Sequence, residues 1–115
     1  MKVLVCGGRD YNDKARLFAV LDELLMDDLD MSIIQGAARG ADSLAGEWAK
    51  FRGVPQQVFP AQWDKYGKSA GFRRNEQMLE EGKPDLVVAF NGGRGTQMMI
   101  QLALRAGVRV FLPSP

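Results

Sequence analysis

The sequence predicts one α/β domain with three layers, in which helices cover both faces of a five-stranded parallel β-sheet. Short apolar runs alternate with amphipathic segments of helical periodicity along the whole chain. The runs are apolar throughout, as expected for strands that are buried on both faces. A length of 115 residues suits a single domain, so we assign residues 1–115 to one unit.

The elements follow from these runs and from the glycines and prolines that end them. Strands are predicted over residues 3–5, 32–35, 57–59, 85–90 and 108–112. Helices are predicted over 14–26, 41–51, 69–81 and 96–106, with a long loop over 61–68. Gly53 and Gly107 each stand where a glycine ends a helix. Right-handed crossovers then favour the strand order 3-2-1-4-5.

In such a sheet a ligand binds beyond the carboxyl ends of the strands, where the strand order reverses. Here that point lies between the first and fourth strands. Both following loops are rich in glycine, which lets backbone N–H groups approach a ligand, and a helix N-terminus that attracts anions follows each. The predicted binding residues in these two loops are Gly7, Gly8, Arg9, Asp10, Tyr11, Gly92, Gly93, Arg94, Gly95 and Thr96.

Two further segments reach the same edge. The loop after the second strand contributes Gly36, Ala37, Gly40 and Asp42, and the helix after the third strand contributes Arg73, Arg74 and Asn75. Over this edge the net charge is +4, although the whole chain carries +1. A positive crevice of this kind concentrates anions such as phosphate. The residues counted are basic Arg9, Arg39, Lys65, Lys68, Arg73, Arg74 and Arg94, and acidic Asp10, Asp42 and Asp64.

Composition excludes several kinds of chemistry. The chain has no histidine, so Ser-His-Asp and Cys-His catalysis within one chain are excluded. Its single cysteine, Cys6, excludes an intrachain disulfide and a cysteine-rich zinc site, and we expect no metal or cofactor besides the ligand. The low net charge does not favour nucleic-acid binding. No run is long enough to span a membrane, so we expect a cytoplasmic protein.

Each motif also has a purely structural interpretation. Thr96 and Asp42 are residues that commonly cap helices, and Arg73 with Arg74 suits a solvated helical face. The aromatic residues of the loops either stack on a base or cover the edge of the domain; they are Tyr11, Trp63 and Tyr66.

Taken in order, the four motifs resemble the SLOG superfamily, the Rossmann-like group named for the DprA/Smf and LOG proteins. Within it, the chain is most similar to the small YspA/YpsA-related branch of bacteria and phages. The resemblance implies a site for a nucleotide or nucleotide derivative. The family's binding positions, as the resemblance implies them, correspond in this chain to Gly7, Gly8, Arg9, Gly36, Gly40, Asp42, Arg74, Asn75, Gly92, Gly93, Gly95 and Thr96.

The chain departs from the family at one catalytic position. LOG enzymes cleave the base from a nucleoside 5′-monophosphate with a glutamate that follows the Gly-Gly-x-Gly-Thr motif. Here that position is Met99, which lies on the apolar stripe of its helix and is predicted to be core. A thioether neither stabilises a ribosyl cation nor handles a proton.

Three functions follow as hypotheses. The first is a binding or sensor domain for a phosphorylated nucleoside such as AMP, ADP-ribose or NAD. The second is a phosphoribohydrolase whose acid has moved to Asp10, Asp42 or Glu76, the carboxylates nearest the motifs. The third, by analogy with DprA, is single-stranded DNA handling. Exposed aromatic residues also lead us to expect a homodimer or higher homo-oligomer.

Overall fold

Strands and helices alternate in the computed structural model, which describes residues 1–114. The strands are β1 Lys2–Cys6, β2 Ser32–Gln35, β3 Gln56–Val58, β4 Leu86–Ala89 and β5 Arg109–Phe111. The α-helices are α1 Lys14–Asp27, α2 Ala41–Arg52, α3 Trp63–Tyr66, α4 Ala70–Gln77 and α5 Arg94–Arg105. A 3₁₀ turn, Gly67–Ser69, precedes α4, and a π-helical turn, Met78–Gly82, follows it.

The sheet has the order β3-β2-β1-β4-β5 and every pair of neighbours is parallel, which confirms the predicted Rossmann-like topology. Cys6 at the end of β1 lies opposite Ala89 at the end of β4. The loops that follow these strands therefore start side by side. They are joined directly, since the Gly8 N–H donates to the Asn91 carbonyl oxygen at 2.8 Å.

Alternate residues of the central strands enter two separate cores, one on each face of the sheet. Val3 and Val5 pack with α1 and α2, where Trp48 is fully buried. Leu4 and Cys6 pack on the opposite face with Met99 of α5. This alternation produces the three layers. No helix among residues 1–114 combines the length and the apolar character that a membrane span requires.

The structure confirms the predicted helix end at Gly53 and adds a cap that was not predicted, Asp13. Gly53 stops α2 in the left-handed region, with φ of 69°, and its N–H donates to the carbonyl oxygens of Ala49 and Lys50. Asp13 caps α1 by accepting a hydrogen bond from the Arg16 N–H at 3.0 Å. Glycine is favoured where a helix ends in the left-handed region, and aspartate is favoured as the residue that caps the start of a helix.

Most strand and helix boundaries lie within one residue of the prediction, and three regions differ by more. The predicted loop 61–68 contains α3 and the start of the 3₁₀ turn. The predicted helix 69–81 divides into α4 and the π-helical turn. The last helix begins at Arg94, so Thr96 lies inside its first turn and Gly93 occupies the position before it.

We predict that Trp48→Ala lowers the free energy of unfolding by about 3–5 kcal/mol, because it leaves a large cavity in the first core. Phe51→Ala on the same helix is the matched control, since that side chain is 69% exposed. We expect it to cost less than about 1 kcal/mol. Urea unfolding measures both, and equal losses would contradict the assignment of Trp48 to the core.

Candidate functional site

A cleft of about 430 Å³ opens beyond the carboxyl ends of β1 and β4, where the strand order reverses. We call it the main cleft. Predicted binding residues that line it come from all four motifs: Gly7, Gly8, Arg9, Asp42, Arg74, Asn75, Gly93, Arg94, Gly95 and Thr96.

The other predicted residues lie around the main cleft, except Gly40, which lines none of these cavities and packs against the backbone of Gly8 and Arg9. Gly36 and Ala37 line an adjoining hollow. Asp10, Tyr11 and Gly92 line a third depression beside the first loop. Arg73 and Glu76 face another depression that borders α3 and α4.

The sequence prediction missed several lining residues. Cys6, Met78 and Met99 line the main cleft together with Gly71, Phe72 and Met98. Part of this set could have been predicted from the sequence, because Gly71, Asn75 and Met78 recur at the spacing of one helical face. Met99 is fully buried, as predicted for a core residue.

Arg74 of α4 holds three segments of the site together. Its Nη1 donates to the Gly36 carbonyl oxygen at the end of β2. Its Nε donates to Oδ1 of Asn75 at 2.9 Å, and Nδ2 of Asn75 donates to the Gly95 carbonyl oxygen at 3.4 Å. Burial lowers the pKa of Arg74, while the neighbouring Asp42 charge opposes this. The guanidinium still remains protonated, as arginine does in proteins.

Asp42 is a buried carboxyl group in the wall of the main cleft, with 6% of its surface exposed. It lies in the first turn of α2, where Gly40 precedes the helix, and its Oδ2 accepts a hydrogen bond from the Ala38 N–H at 3.2 Å. Burial raises its pKa, opposed by this hydrogen bond and by the charge of Arg74. Such a carboxyl group retains its proton to a higher pH than an exposed aspartate does.

The other two candidate carboxylates are placed differently. Asp10 is almost fully exposed and pairs with Arg39, with 3.4 Å between Oδ1 and Nη2. Glu76 lies on the α3 side of α4, outside the lining of the main cleft. Asp42 is therefore the one acidic residue in the described part of the chain that lines this cleft.

The loop that carries Gly36 to Gly40 is held by a short polar network. Ala37 has φ of 61°, a left-handed conformation that costs a non-glycine residue roughly 1–2 kcal/mol. Its N–H donates to Oε1 of the buried Gln35 at 2.6 Å, and Nε2 of Gln35 donates to Oε1 of Gln56 at 3.2 Å. These bonds fix the loop to the end of β2 and, through Gln56, to β3.

The N-terminus of α5 opens into the main cleft. Gly93 precedes the helix, and no side chain of residues 1–114 caps this end by hydrogen bonding. The first-turn N–H groups therefore stay available, and the helix dipole adds positive charge there. Within the described chain, four basic residues face one carboxylate in the cleft lining: Arg9, Lys68, Arg74 and Arg94 against Asp42.

Aromatic side chains form part of the cleft wall. Trp63 is 49% exposed and Phe72 is 41% exposed, and both line the main cleft. The Arg9 guanidinium lies 5.4 Å from the centre of a Trp63 ring. Aromatic residues in these segments are the basis on which the sequence predicts a homo-oligomer, and this stays a prediction.

The glycines of the site fall into two physical classes. A Cβ on Gly36 would stand 2.5 Å from Nη1 of Arg74, and one on Gly40 would stand 2.1 Å from the Gly8 carbonyl oxygen. These glycines are required by the packing of the protein itself. A Cβ on Gly93 or Gly95 would meet no atom of the described chain within 4 Å.

We predict that Gly36→Ala lowers the free energy of unfolding by about 1–3 kcal/mol, because the added methyl group displaces Arg74. Gly95→Ala is the control within the same site. It enters open space inside a helix, so we expect it to be neutral or to stabilise by up to about 1 kcal/mol. Thermal or urea unfolding compares the two, and an equal cost would contradict the division of the glycines.

The chain is similar in sequence to known proteins. A model of the YAcAr family, described as the YspA, cpYpsA-related SLOG family, matches residues 1–66 and so includes the first two loops. The Gene 61 protein of Mycobacterium phage D29 is 34% identical over 118 residues, which cover 96% of this chain and 94% of that protein. This second match extends over α4 and α5 as well. The chain belongs to the YspA, cpYpsA-related SLOG family.

Proposed function

We propose that the protein is a binding or sensor domain that holds a phosphorylated nucleoside or nucleotide derivative in the main cleft. The observation that carries this proposal is the uncapped N-terminus of α5, which opens into a cleft with an excess of basic side chains. Membership of the SLOG family suggests nucleotide-related binding or processing and supports the same class of ligand.

A phosphate group fits at the start of α5. The N–H groups of this turn and the Arg94 side chain supply donors of fixed direction, and the open space above Gly93 and Gly95 lets oxygen atoms approach the backbone. A hydrogen bond to a charged group contributes roughly 1.5–3 kcal/mol, compared with roughly 0.3–1 kcal/mol for a helix dipole. Arg94 is therefore expected to supply more affinity than the helix dipole.

The remainder of a nucleotide fits the rest of the cleft. Trp63 and Phe72 present aromatic surface on which a base can stack. Met78 and Met99 also line the floor of the cleft, but they are 2% and 0% exposed and offer a ligand little surface. A wall with charge at one place and aromatic surface at another suits a ligand with one phosphorylated and one aromatic end.

We predict that Arg94→Ala weakens binding of AMP or ADP-ribose by about ten- to a hundred-fold, because one charge-assisted contact is lost. Arg94 is exposed, so the fold should be retained. Arg109→Ala is the matched control, since this exposed arginine begins β5 at the opposite edge of the sheet. Isothermal titration calorimetry measures both variants.

The panel of ligands is AMP, ADP-ribose, NAD and cyclic nucleotides. Binding of none of them by the parent protein would contradict the proposal. So would equal affinities for the parent protein and Arg94→Ala, because the phosphate would then lie elsewhere.

One observation favours a second candidate function, hydrolysis of the N-glycosidic bond of a nucleoside 5′-phosphate. Asp42 is a buried cleft carboxyl group with a raised pKa, which are the properties of a general acid. Protonated Asp42 would give its proton to the leaving base as the C1′–N bond breaks. Water would add to C1′ and release a proton, giving the free base and ribose 5-phosphate.

For this candidate we predict that the parent protein releases the base from AMP. Asp42→Asn should abolish this activity, and Glu76→Gln should retain it. The rate should fall as the pH rises through the raised pKa of Asp42, because the protonated form is the acid. Chromatography of the products over a pH series provides the measurement. Release of base by Asp42→Asn at the parent rate would exclude Asp42 as the acid.

A further inference from the structure

A second hollow, of about 480 Å³, adjoins the main cleft at the end of β2. We call it the arginine hollow, because its charged lining within the described chain consists of arginines and contains no carboxylate. The lining residues are Arg9, Gly36, Ala37, Ala38, Arg39, Pro60, Ala61, Trp63 and Arg74.

The arginine hollow and the main cleft share one wall. Arg9, Ala38, Trp63 and Arg74 line both of them. The stacked pair of Arg9 and Trp63 therefore lies between the main cleft and the arginine hollow. A ligand that reaches past this pair occupies both.

The three guanidinium groups of the hollow keep much of their hydrogen-bonding capacity. Within the described chain, that of Arg9 has no hydrogen-bond partner and stacks on Trp63. Arg74 uses Nη1 and Nε and leaves Nη2. Arg39 pairs with Asp10 at 3.4 Å, and its side chain is 75% exposed, so solvent screens this ion pair.

Asp10 and Asp42 lie near Arg39 and Arg74, but no carboxylate of residues 1–114 lines the hollow itself, so an anion placed there is attracted by all three guanidinium groups. The small side chains of Gly36, Ala37 and Ala38 leave room for the anion. Planar guanidinium groups bind phosphate oxygens through paired hydrogen bonds. The hollow thus combines the space, the charge and the donors of a second phosphate site.

We propose that the ligand carries two phosphate groups, one at the N-terminus of α5 and the other in the arginine hollow. The ligand class is therefore a nucleoside with phosphate groups at two separate positions, such as a 3′,5′-bisphosphate, rather than a simple mononucleotide. This inference rests on the proposed function, since it places the first phosphate in the main cleft.

The test compares AMP, which has one phosphate, with adenosine 3′,5′-bisphosphate, which carries two at separate positions, and with ADP-ribose, whose two phosphates are adjacent. Calorimetry on the full chain should show adenosine 3′,5′-bisphosphate binding about tenfold or more tightly than AMP, and no such advantage would overturn the inference. Arg39→Ala should remove most of that gain and lower the affinity for AMP by much less. Arg109→Ala, at the opposite edge, should bind every ligand as the parent protein does.

The outcomes separate this inference from the proposed function. If AMP binds as tightly as adenosine 3′,5′-bisphosphate, the inference is wrong and the proposed function stands. A two-phosphate advantage that survives Arg39→Ala, or an equal loss for AMP in this variant, also overturns it, because the second phosphate is then not in the hollow. If no nucleotide binds at all, the proposed function fails and the inference fails with it.

Discussion

The half-buried guanidinium of Arg74 is the contact on which the rest of the site depends. It fixes the end of β2 through the Gly36 carbonyl oxygen and, through Asn75, reaches the Gly95 carbonyl oxygen at the start of α5. These segments belong to different layers and different strand ends, so the sheet alone does not set their spacing. Gly36 has to be a glycine because the guanidinium occupies the place of its side chain.

Burying this charge imposes a second requirement. A buried guanidinium loses solvation, which hydrogen bonds and a nearby negative charge must offset. Asp42 supplies that charge from α2 in its ionised form, and its own burial raises its pKa while Arg74 opposes the shift. The carboxyl group that neighbours Arg74 is also the acidic residue that lines the main cleft. Its ionised form stabilises the buried guanidinium, whereas the proposed hydrolysis would use its protonated form.

Sequence patterns predicted the sheet and its order because apolar runs and helical stripes report burial directly. They also predicted which loops meet at one edge, since parallel strands bring their following loops together. They did not separate the two classes of glycine: Gly36 and Gly95 look alike in a sequence, and only three-dimensional packing distinguishes them. Charge counting did not separate Arg73 from its neighbour Arg74, whereas the family resemblance carried over to Arg74 alone, the one of the two that lines the main cleft.

The floor of the main cleft narrows the manner in which a ligand can be held. Met78, Met99 and Cys6 line it as buried side chains, and burial raises the pKa of the Cys6 thiol to about 12, so this group is neutral. The exposed apolar surface of the cleft comes instead from Trp63 and Phe72, and a bare anion would leave these rings uncovered. The hydrogen-bond donors lie where α5 begins and where Arg9 stacks on Trp63. The ligand class proposed above, with an aromatic body and a phosphate group, matches both kinds of surface, whereas a free phosphate ion matches only the donors.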